Sequence, residues 1–304
     1  MKILVMGAGA VGAYYGARLQ QAGEDVVFCA RGENLRAMQQ RGIEITSIRG
    51  DLKLKVNATD DPRPYAPYDL ILFCVKVYDT DAAAAAIKGC LAPGGAIMTL
   101  QNGVENETRL AELFGAGSVM GGNARIGVEL VGPGRIVHNT TGTIEFGELD
   151  GRVTPRADAI AEAMRRAGIF GELSTDIRAS RWDKLMWNAA FNTVTTLTHR
   201  TVGEVLDDPE GYALIRKLME EVRAAAAADG VELSGERIAQ VLAHSNKNLR
   251  PLRTSTLQDL QRGKPLEVEA LIGVVVRIAR RHGIKAPASE AIYALMRLLD
   301  RGPE

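Results

Sequence analysis

Lys2-Ile-Leu-Val-Met-Gly7-Ala-Gly9-Ala-Val-Gly12 decides the fold of this chain, because an apolar strand pattern runs directly into Gly-x-Gly-x-x-Gly. An amphipathic helix pattern follows over residues 10–22, and a second apolar strand pattern covers residues 25–30. Strand, glycine hexad, helix and strand together form the βαβ unit that binds dinucleotides. The alternative interpretation is a tight turn that binds no ligand.

Each glycine of the hexad has a distinct expected task. The first permits the tight turn, the second lets the backbone approach a pyrophosphate, and the third lets the helix pack against the strand. The N–H groups and partial positive charge at the helix N-terminus attract phosphates. The residues expected to contact the cofactor here are Gly7, Ala8, Gly9, Ala10, Val11 and Gly12.

The end of the second strand indicates which dinucleotide is bound. NAD-binding proteins usually place a carboxylate about twenty residues beyond the glycines, where it holds the ribose 2′-hydroxyl. This chain reads Phe28-Cys-Ala-Arg31-Gly at that place, without a carboxylate. A guanidinium pairs well with a 2′-phosphate, so Arg31 favours NADP(H). Glu33 keeps NAD as an alternative, and Arg31 as a solvated loop residue is another.

Composition excludes several classes of protein. The chain has 304 residues with 37 Lys plus Arg and 37 Asp plus Glu, and this neutral balance argues against nucleic acid as a partner. Its three scattered cysteines and four histidines lack the spacing of a disulfide framework or a metal site. The apolar runs at 69–75 and 271–276 are too short to span a membrane. With the first strand beginning at residue 2, we expect no signal peptide and a cytoplasmic location.

The hydrophobic patterns divide the chain into two parts. Strands and helices alternate at first, as in a parallel sheet, with short antiparallel strands expected over 119–147 and a last strand at 170–174. The β pattern ends near residue 175, and helices are expected at 181–197, 209–228, 234–244, 266–282 and 289–300. We therefore predict an α/β Rossmann-type N-terminal domain over residues 1–175 and an all-α C-terminal domain over residues 176–304. A cleft between two such domains is a common substrate site.

Two segments of the second part carry polar residues in unusual places. Lys184, Asn188 and Asn192 are spaced i, i+4 and i+8 in an otherwise apolar helix pattern, so they are expected to form one polar stripe. Asparagine is a mediocre helix former, which suggests that the two amides bind a ligand. A solvent-exposed helix face would give the same sequence pattern. The second segment, from Ser255 to Gly273, contains Glu267 and Glu269 at a helix start, where acidic residues also suit the helix dipole.

Taken together, these features resemble the ketopantoate reductase family over nearly the whole chain. The resemblance rests on the glycine hexad, Arg31, Lys76, Gln101-Asn-Gly, the Lys184-Leu-x-x-Asn stripe and the segment that begins at Ser255. It implies a Rossmann-type domain and a helical domain. Helical second domains of this type often make dimer contacts, so we also expect a homodimer. The resemblance further implies the NADPH-dependent reduction of 2-dehydropantoate to (R)-pantoate, on the route to pantothenate and coenzyme A.

The resemblance also implies roles for individual residues. Lys184 would protonate the ketone oxygen as hydride arrives, and general acid catalysis of this kind contributes about 10²–10⁴-fold. Glu267 would hold the substrate hydroxyl, and Lys76 would lie near the cofactor. Asn102 would sit between cofactor and substrate, and both Asn102 and Glu267 are assigned to the cofactor contacts as well. The remaining substrate contacts implied by the family are Asn188, Asn192 and Ser255.

One stretch departs from the family pattern. Residues 266–269 read Leu-Glu-Val-Glu, where a Thr-Glu-x-Asp pattern is typical, and residues 271–273 read Leu-Ile-Gly, where Ile-Asn-Gly is typical. The alternatives are a reductase of another 2-oxo acid, a β-hydroxyacid or opine-type dehydrogenase, and a non-catalytic NADP(H) sensor.

Overall fold

The computed structural model describes residues 1–300, apart from the side chain of Thr141. The chain divides into two compact units. The first contains Met1–Gln101 and Asn106–Ile177, and the second contains Asn102–Glu105 and the chain from Arg178 onwards. The short segment 102–105 therefore belongs with the helices, although the strand that precedes it belongs to the sheet.

The first unit alternates strands and helices. Its strands are β1 Lys2–Met6, β2 Asp25–Cys29, β3 Ile43–Ser47, β4 Leu52–Leu54, β5 Asn57–Thr59, β6 Tyr68–Phe73, β7 Leu91–Thr99, β8 Val119–Gly132, β9 Arg135–Glu148 and β10 Gly171–Leu173. Its helices are α1 Ala10–Gln21, α2 Gly32–Arg41, α3 Thr80–Ala86, α4 Asn106–Phe114 and α5 Pro155–Arg166. Short 3₁₀ turns lie at Arg63–Tyr65, Val77–Asp79 and Ala116–Ser118.

These strands form one mixed sheet in the order β4-β3-β9-β8-β7-β6-β1-β2-β5, with β10 beside β9. Strands β5, β2, β1, β6, β7 and β8 run parallel to one another, and β8 and β9 form an antiparallel hairpin. The Rossmann-type fold predicted from the sequence is confirmed. Side chains of β1 alternate between two cores, with Ile3 and Val5 in one and Leu4 and Met6 in the other. Burial on both faces explains why the strand is continuously apolar.

The expectation of several short strands over 119–147 is wrong. Strands β8 and β9 each have 14 residues, and the chain turns between them at Pro133 and Gly134. Gly122 resembles a strand breaker but lies inside β8, where neighbouring atoms leave no room for a side chain. A Cβ on Gly122 would come within 2.5 Å of Leu100 and 2.8 Å of the Thr99 carbonyl oxygen.

The second unit is helical. Its α-helices are α6 Ile177–Trp187, α7 Thr193–Thr198, α8 Val202–Asp207, α9 Pro209–Ala228, α10 Arg237–Asn248, α11 Ser255–Gln261, α12 Val274–His282 and α13 Pro287–Asp300. The first residue of α6, Ile177, is grouped with the first unit. Trp182, Phe191, Met219 and Ile272 are fully buried in the core of these helices.

Two of the predicted α-helices are interrupted by π-helical turns. Residues 181–197 were expected to form one helix, but Asn188–Asn192 form a π-helical turn between α6 and α7. A second π-helical turn, Glu269–Gly273, leads into α12. The two turns pack against each other. π-helical turns occur frequently at functional sites, and both lie beside polar residues that the sequence singled out.

Across residues 1–300, no helix combines the length and the apolar character that a membrane span requires.

Candidate functional site

The glycine hexad forms a tight loop between β1 and α1. Gly7 has φ +96°, and a Cβ there would lie 2.7 Å from the Val75 nitrogen. A Cβ on Gly12 would lie 2.5 Å from the Gly7 carbonyl oxygen. A Cβ on Gly9, by contrast, would meet no heavy atom of the described residues within 4 Å. Packing within the fold therefore requires Gly7 and Gly12, whereas Gly9 leaves one side of the loop open.

The same loop leaves the start of α1 without acidic or capping side chains. The first turn of α1 carries no acidic side chain, and Gly9 caps it without a side-chain hydrogen bond. The N–H groups of Gly7 and Ala8 donate to the Cys29 carbonyl oxygen at 3.3 and 2.8 Å, which anchors the loop to the end of β2. An open glycine at a helix N-terminus that lacks a side-chain cap fits a pyrophosphate group.

Asn34 braces this loop, a role that the sequence analysis missed. Its Nδ2 donates to the Ala8 carbonyl oxygen at 2.8 Å, and its Oδ1 accepts from the Gly134 N–H at 2.8 Å. One side chain of α2 thus joins the glycine loop to the turn of the β8–β9 hairpin. Nothing in the local pattern of α2 indicates this role, because both partners are distant in sequence.

Arg31 lies just beyond β2, as the sequence predicted, and its side chain is 65% exposed. Its guanidinium is 3.6 Å from the carboxylate of Asp79, which is also exposed, so the pair contributes little to stability. Lys76 follows β6 and is half-buried. Burial raises the pKa of Cys29 to about 11 and that of Cys74 to about 12. Both thiols near the loop are therefore protonated at neutral pH.

The helical unit holds the other predicted residues. Lys184 lies on α6 and is half-buried. Asn188 and Asn192 are buried in the first π-helical turn, with exposures of 6% and 2%. Because this turn is π-helical, their angular spacing differs from the α-helical stripe that the sequence predicted. Among the described residues, nothing donates a hydrogen bond to the buried Oδ1 of Asn192. Such atoms usually have partners, so this oxygen is well suited to a ligand.

Asn102 and Glu267 meet in the same unit, although 165 residues separate them. The Nδ2 of Asn102 donates to Oε2 of Glu267 at 3.2 Å, and Glu267 is only 8% exposed. Arg181 secures the loop around Asn102 by donating to the Gly103 carbonyl oxygen at 2.5 Å. A buried carboxylate is thus held beside an amide.

The remaining predicted residue, Ser255, is exposed at the first position of α11. Helix α11 packs against the first π-helical turn, and that turn packs against the one that follows Glu267. The structure therefore brings together the two elements that carry Asn188, Asn192 and Ser255 and the π-helical turn that follows Glu267.

Two family models match this chain. The model described as "Ketopantoate reductase PanE/ApbA" matches residues 3–151, and its C-terminal counterpart matches residues 176–300. The chain belongs to the ketopantoate reductase family. The resemblance stated from the sequence is thereby confirmed, and the chain is an oxidoreductase.

Individual relatives of this ketopantoate reductase family member cover almost its full length. The 2-dehydropantoate 2-reductase of Archaeoglobus fulgidus is 34% identical over 302 residues, which are 99% of this chain and 98% of the relative. The crystal structure of 2-dehydropantoate 2-reductase from Geobacter metallireducens GS-15 is 33% identical, covers 98% of this chain and 99% of its own, and gives a TM-score of 0.93. A D-mandelate dehydrogenase solved with NADH and anilino(oxo)acetate has a TM-score of 0.92 at 21% identity, with coverages of 99% and 98%, and therefore shares the fold alone.

Proposed function

We propose that this chain reduces 2-dehydropantoate to (R)-pantoate with NADPH, in the synthesis of pantothenate and coenzyme A. The observation that carries the proposal is the pairing of buried Glu267 with Asn102, in the helical unit that also contains the half-buried ammonium of Lys184. A substrate hydroxyl needs a hydrogen-bond acceptor, its ketone needs a proton donor, and its carboxylate needs amide or hydroxyl groups. This unit contains all three kinds of group.

NADP(H) is proposed to bind the predicted N-terminal domain, residues 1–175, where it would supply the hydride. Gly7, Ala8, Gly9, Ala10, Val11 and Gly12 would hold its pyrophosphate. The exposed guanidinium of Arg31 would hold the 2′-phosphate through charge-assisted hydrogen bonds. Lys76 would lie near the cofactor, and Asn102 and Glu267 would contact it on the substrate side.

Lys184 is proposed as the general acid. Hydride arrival places negative charge on the ketone oxygen, and an ammonium beside that oxygen stabilises the charge and donates a proton. The acidic proton then passes from Nζ to the new hydroxyl oxygen of the product.

Glu267 is proposed to accept a hydrogen bond from the substrate hydroxyl. An analogue without that hydroxyl would leave a buried carboxylate with one partner fewer, which disfavours its binding. Asn188, Asn192 and Ser255 would bind the polar ends of the substrate. The buried Oδ1 of Asn192 supports this role, since a substrate hydroxyl would give it a donor.

The helical region over residues 176–304 is thus proposed as the substrate domain and as the surface for a homodimer, in a cytoplasmic enzyme. A second candidate function is the reduction of another 2-oxo acid. It is favoured by residues 271–273, where Leu-Ile-Gly stands in place of the family's Ile-Asn-Gly.

The decisive experiment measures initial rates for a panel of 2-oxo acids with NADPH and with NADH. We expect the highest kcat/KM for 2-dehydropantoate with NADPH. Lys184→Ala should lower kcat by about 10²–10⁴-fold with the Kd for NADPH unchanged. Lys217→Ala removes an exposed lysine of α9 and serves as the matched control.

Other outcomes would contradict the proposal. NADPH binding without turnover of any acid would favour a sensor, and a higher kcat/KM for an acid lacking the hydroxyl would favour the second candidate. Turnover of β-hydroxyacids or of amino acid and oxo acid pairs would favour the other dehydrogenase classes. Unchanged kcat in Lys184→Ala would remove Lys184 as the acid.

A further inference from the structure

Helix α7 is unusually rich in threonine. Its sequence is Thr193-Val-Thr-Thr-Leu-Thr198, and it begins directly after the first π-helical turn. The side chains of Thr193, Thr195 and Thr196 are fully buried. Buried hydroxyls need hydrogen-bond partners, and each of these three has a carbonyl partner four residues earlier in the chain.

All three hydroxyls donate to carbonyl groups of the π-helical turn. The bonds run from Thr193 to Ala189 at 2.6 Å, from Thr195 to Phe191 at 2.7 Å and from Thr196 to Asn192 at 2.5 Å. A π-helical turn displaces the regular backbone ladder, and threonine hydroxyls bonded four residues back commonly bend helices. The backbone that carries Asn188 and Asn192 is therefore held by side chains as well as by its own ladder.

Thr195 makes a further contact across the unit. Its Oγ1 lies 2.8 Å from Oγ1 of Thr254, 59 residues later in the sequence. A hydroxyl has one proton, and that of Thr195 is directed to the Phe191 carbonyl oxygen. Thr254 is consequently the donor to Thr195. Thr254 is 1% exposed and is the N-cap of α11, the helix that Ser255 begins.

We propose that the Thr195–Thr254 hydroxyl pair positions the substrate-binding groups, by fixing the π-helical turn that carries Asn188 and Asn192 relative to Ser255. This inference rests on the proposed function for its kinetic consequence. Neither threonine is proposed to touch the substrate. Their hydroxyls set the distance between two elements that bind the polar ends of one small molecule.

Thr195→Val tests the pair, because it keeps the branched shape and removes the hydroxyl. We expect the KM for the 2-oxo acid to rise about tenfold, since a buried hydrogen bond is lost and its partner left unsatisfied. The value of kcat should stay within about twofold, because the acid itself is untouched. The Kd for NADPH, measured by fluorescence titration, should not change. Thr195→Ser restores the hydroxyl and should restore the KM.

The matched control is Thr198→Val. Thr198 is an exposed residue of the same helix, and its hydroxyl donates to the Val194 carbonyl oxygen at 2.7 Å, outside the π-helical turn. The Thr198→Val variant loses the same kind of hydrogen bond and leaves the Thr195–Thr254 pair intact, so its KM should equal that of the wild type. An equal rise of KM in Thr195→Val and Thr198→Val would overturn the proposal, because any loss of a hydroxyl in α7 would then suffice.

A double-mutant cycle isolates the pair. Thr254→Val also removes the cap of α11, so its KM should rise more than that of Thr195→Val. If the hydroxyls act together, the KM of the double variant should equal that of Thr254→Val. A KM raised by the product of the two single effects would contradict the link.

Hydrogen exchange provides a readout that does not depend on catalysis. Thr195→Val should speed amide exchange in the first turn of α11 as well as in α7, whereas Thr198→Val should affect α7 alone. If the wild type reduced no acid of the panel, the proposed function would fail while this measurement still decided the link. Unchanged exchange in α11 would overturn the inference, even in an active enzyme.

Discussion

Gly9→Ala and Gly12→Ala should separate cofactor binding from folding, although both add one methyl group to the same loop. A Cβ on Gly9 meets nothing described within 4 Å, and the backbone there, at φ −76° and ψ −160°, suits any residue. A Cβ on Gly12 would lie 2.5 Å from the Gly7 carbonyl oxygen and 2.8 Å from Val5. The first methyl group enters the proposed phosphate site, and the second enters the protein interior.

The magnitudes follow from these distances. Gly12→Ala overpacks the contact between α1 and β1, at about 1–3 kcal/mol of unfolding free energy. For a unit of this size each kcal/mol lowers Tm by about 2–4 °C. Gly9→Ala weakens only the helix cap, at about 0.5–1 kcal/mol. By blocking charged hydrogen bonds to the pyrophosphate, at about 1.5–3 kcal/mol, it should raise the Kd for NADPH about 10- to 150-fold.

The assay pairs scanning calorimetry of the cofactor-free variants with fluorescence titration of NADPH. Gly117→Ala is the control, because a Cβ on Gly117 also meets nothing within 4 Å and this residue lies outside the loop. It should change neither Tm nor Kd. A folded Gly9→Ala variant that binds NADPH as tightly as the wild type would refute the assignment of the loop.

Three further predictions concern single side chains. Arg31→Ala should raise the Kd for NADPH about tenfold or more and leave the Kd for NADH nearly unchanged. Arg36→Ala, which removes an exposed arginine of α2, is the control. Equal losses of affinity for both cofactors would mean that the 2′-phosphate is bound elsewhere. Glu267→Gln should raise the KM for a hydroxylated 2-oxo acid more than for its analogue without the hydroxyl, whereas exposed Glu269→Gln should not, and an equal rise for both acids would remove Glu267 from hydroxyl recognition. Burial lowers the pKa of His138 below its ordinary value of about 6.5. As pH falls, this histidine therefore takes up a proton in the unfolded chain before it does so in the folded protein. The contribution of His138 to the free energy of unfolding is complete above about pH 6.5 and declines below it by up to about 1.4 kcal/mol per pH unit. Denaturant unfolding between pH 7 and 5 should show a shallower decline in His138→Gln than in the wild type, and parallel curves would contradict the assignment.

The N-terminal half was largely predictable because its signals are local. The strand, turn and helix around Gly7, Gly9 and Gly12 are adjacent in sequence. A side chain on Gly12 would clash with Gly7 and Val5 of the same short segment, whereas Gly9 faces open space. Arg31 was located by its distance from the glycines along the chain. The limits of α9 were predicted without error, since Asp208 and Pro209 mark its start clearly.

Other features could not be predicted, because the sequence does not show which distant atoms meet. Gly122 resembles a strand breaker until the crowding by Leu100 is known. The π-helical turn at Asn188–Asn192 has the apolar pattern of an ordinary helix, and the hydroxyls that hold it come from the next helix.

The sequence by itself determined the two-part architecture, the glycine loop and the family, because hydrophobic period and glycine spacing act over a few neighbouring residues. Only the tertiary structure decided that Glu267 is buried against Asn102 and that Thr254 reaches Thr195. Those pairs join residues 165 and 59 positions apart, and such contacts form only when the helices pack together and exclude water from polar groups that then must bond to one another.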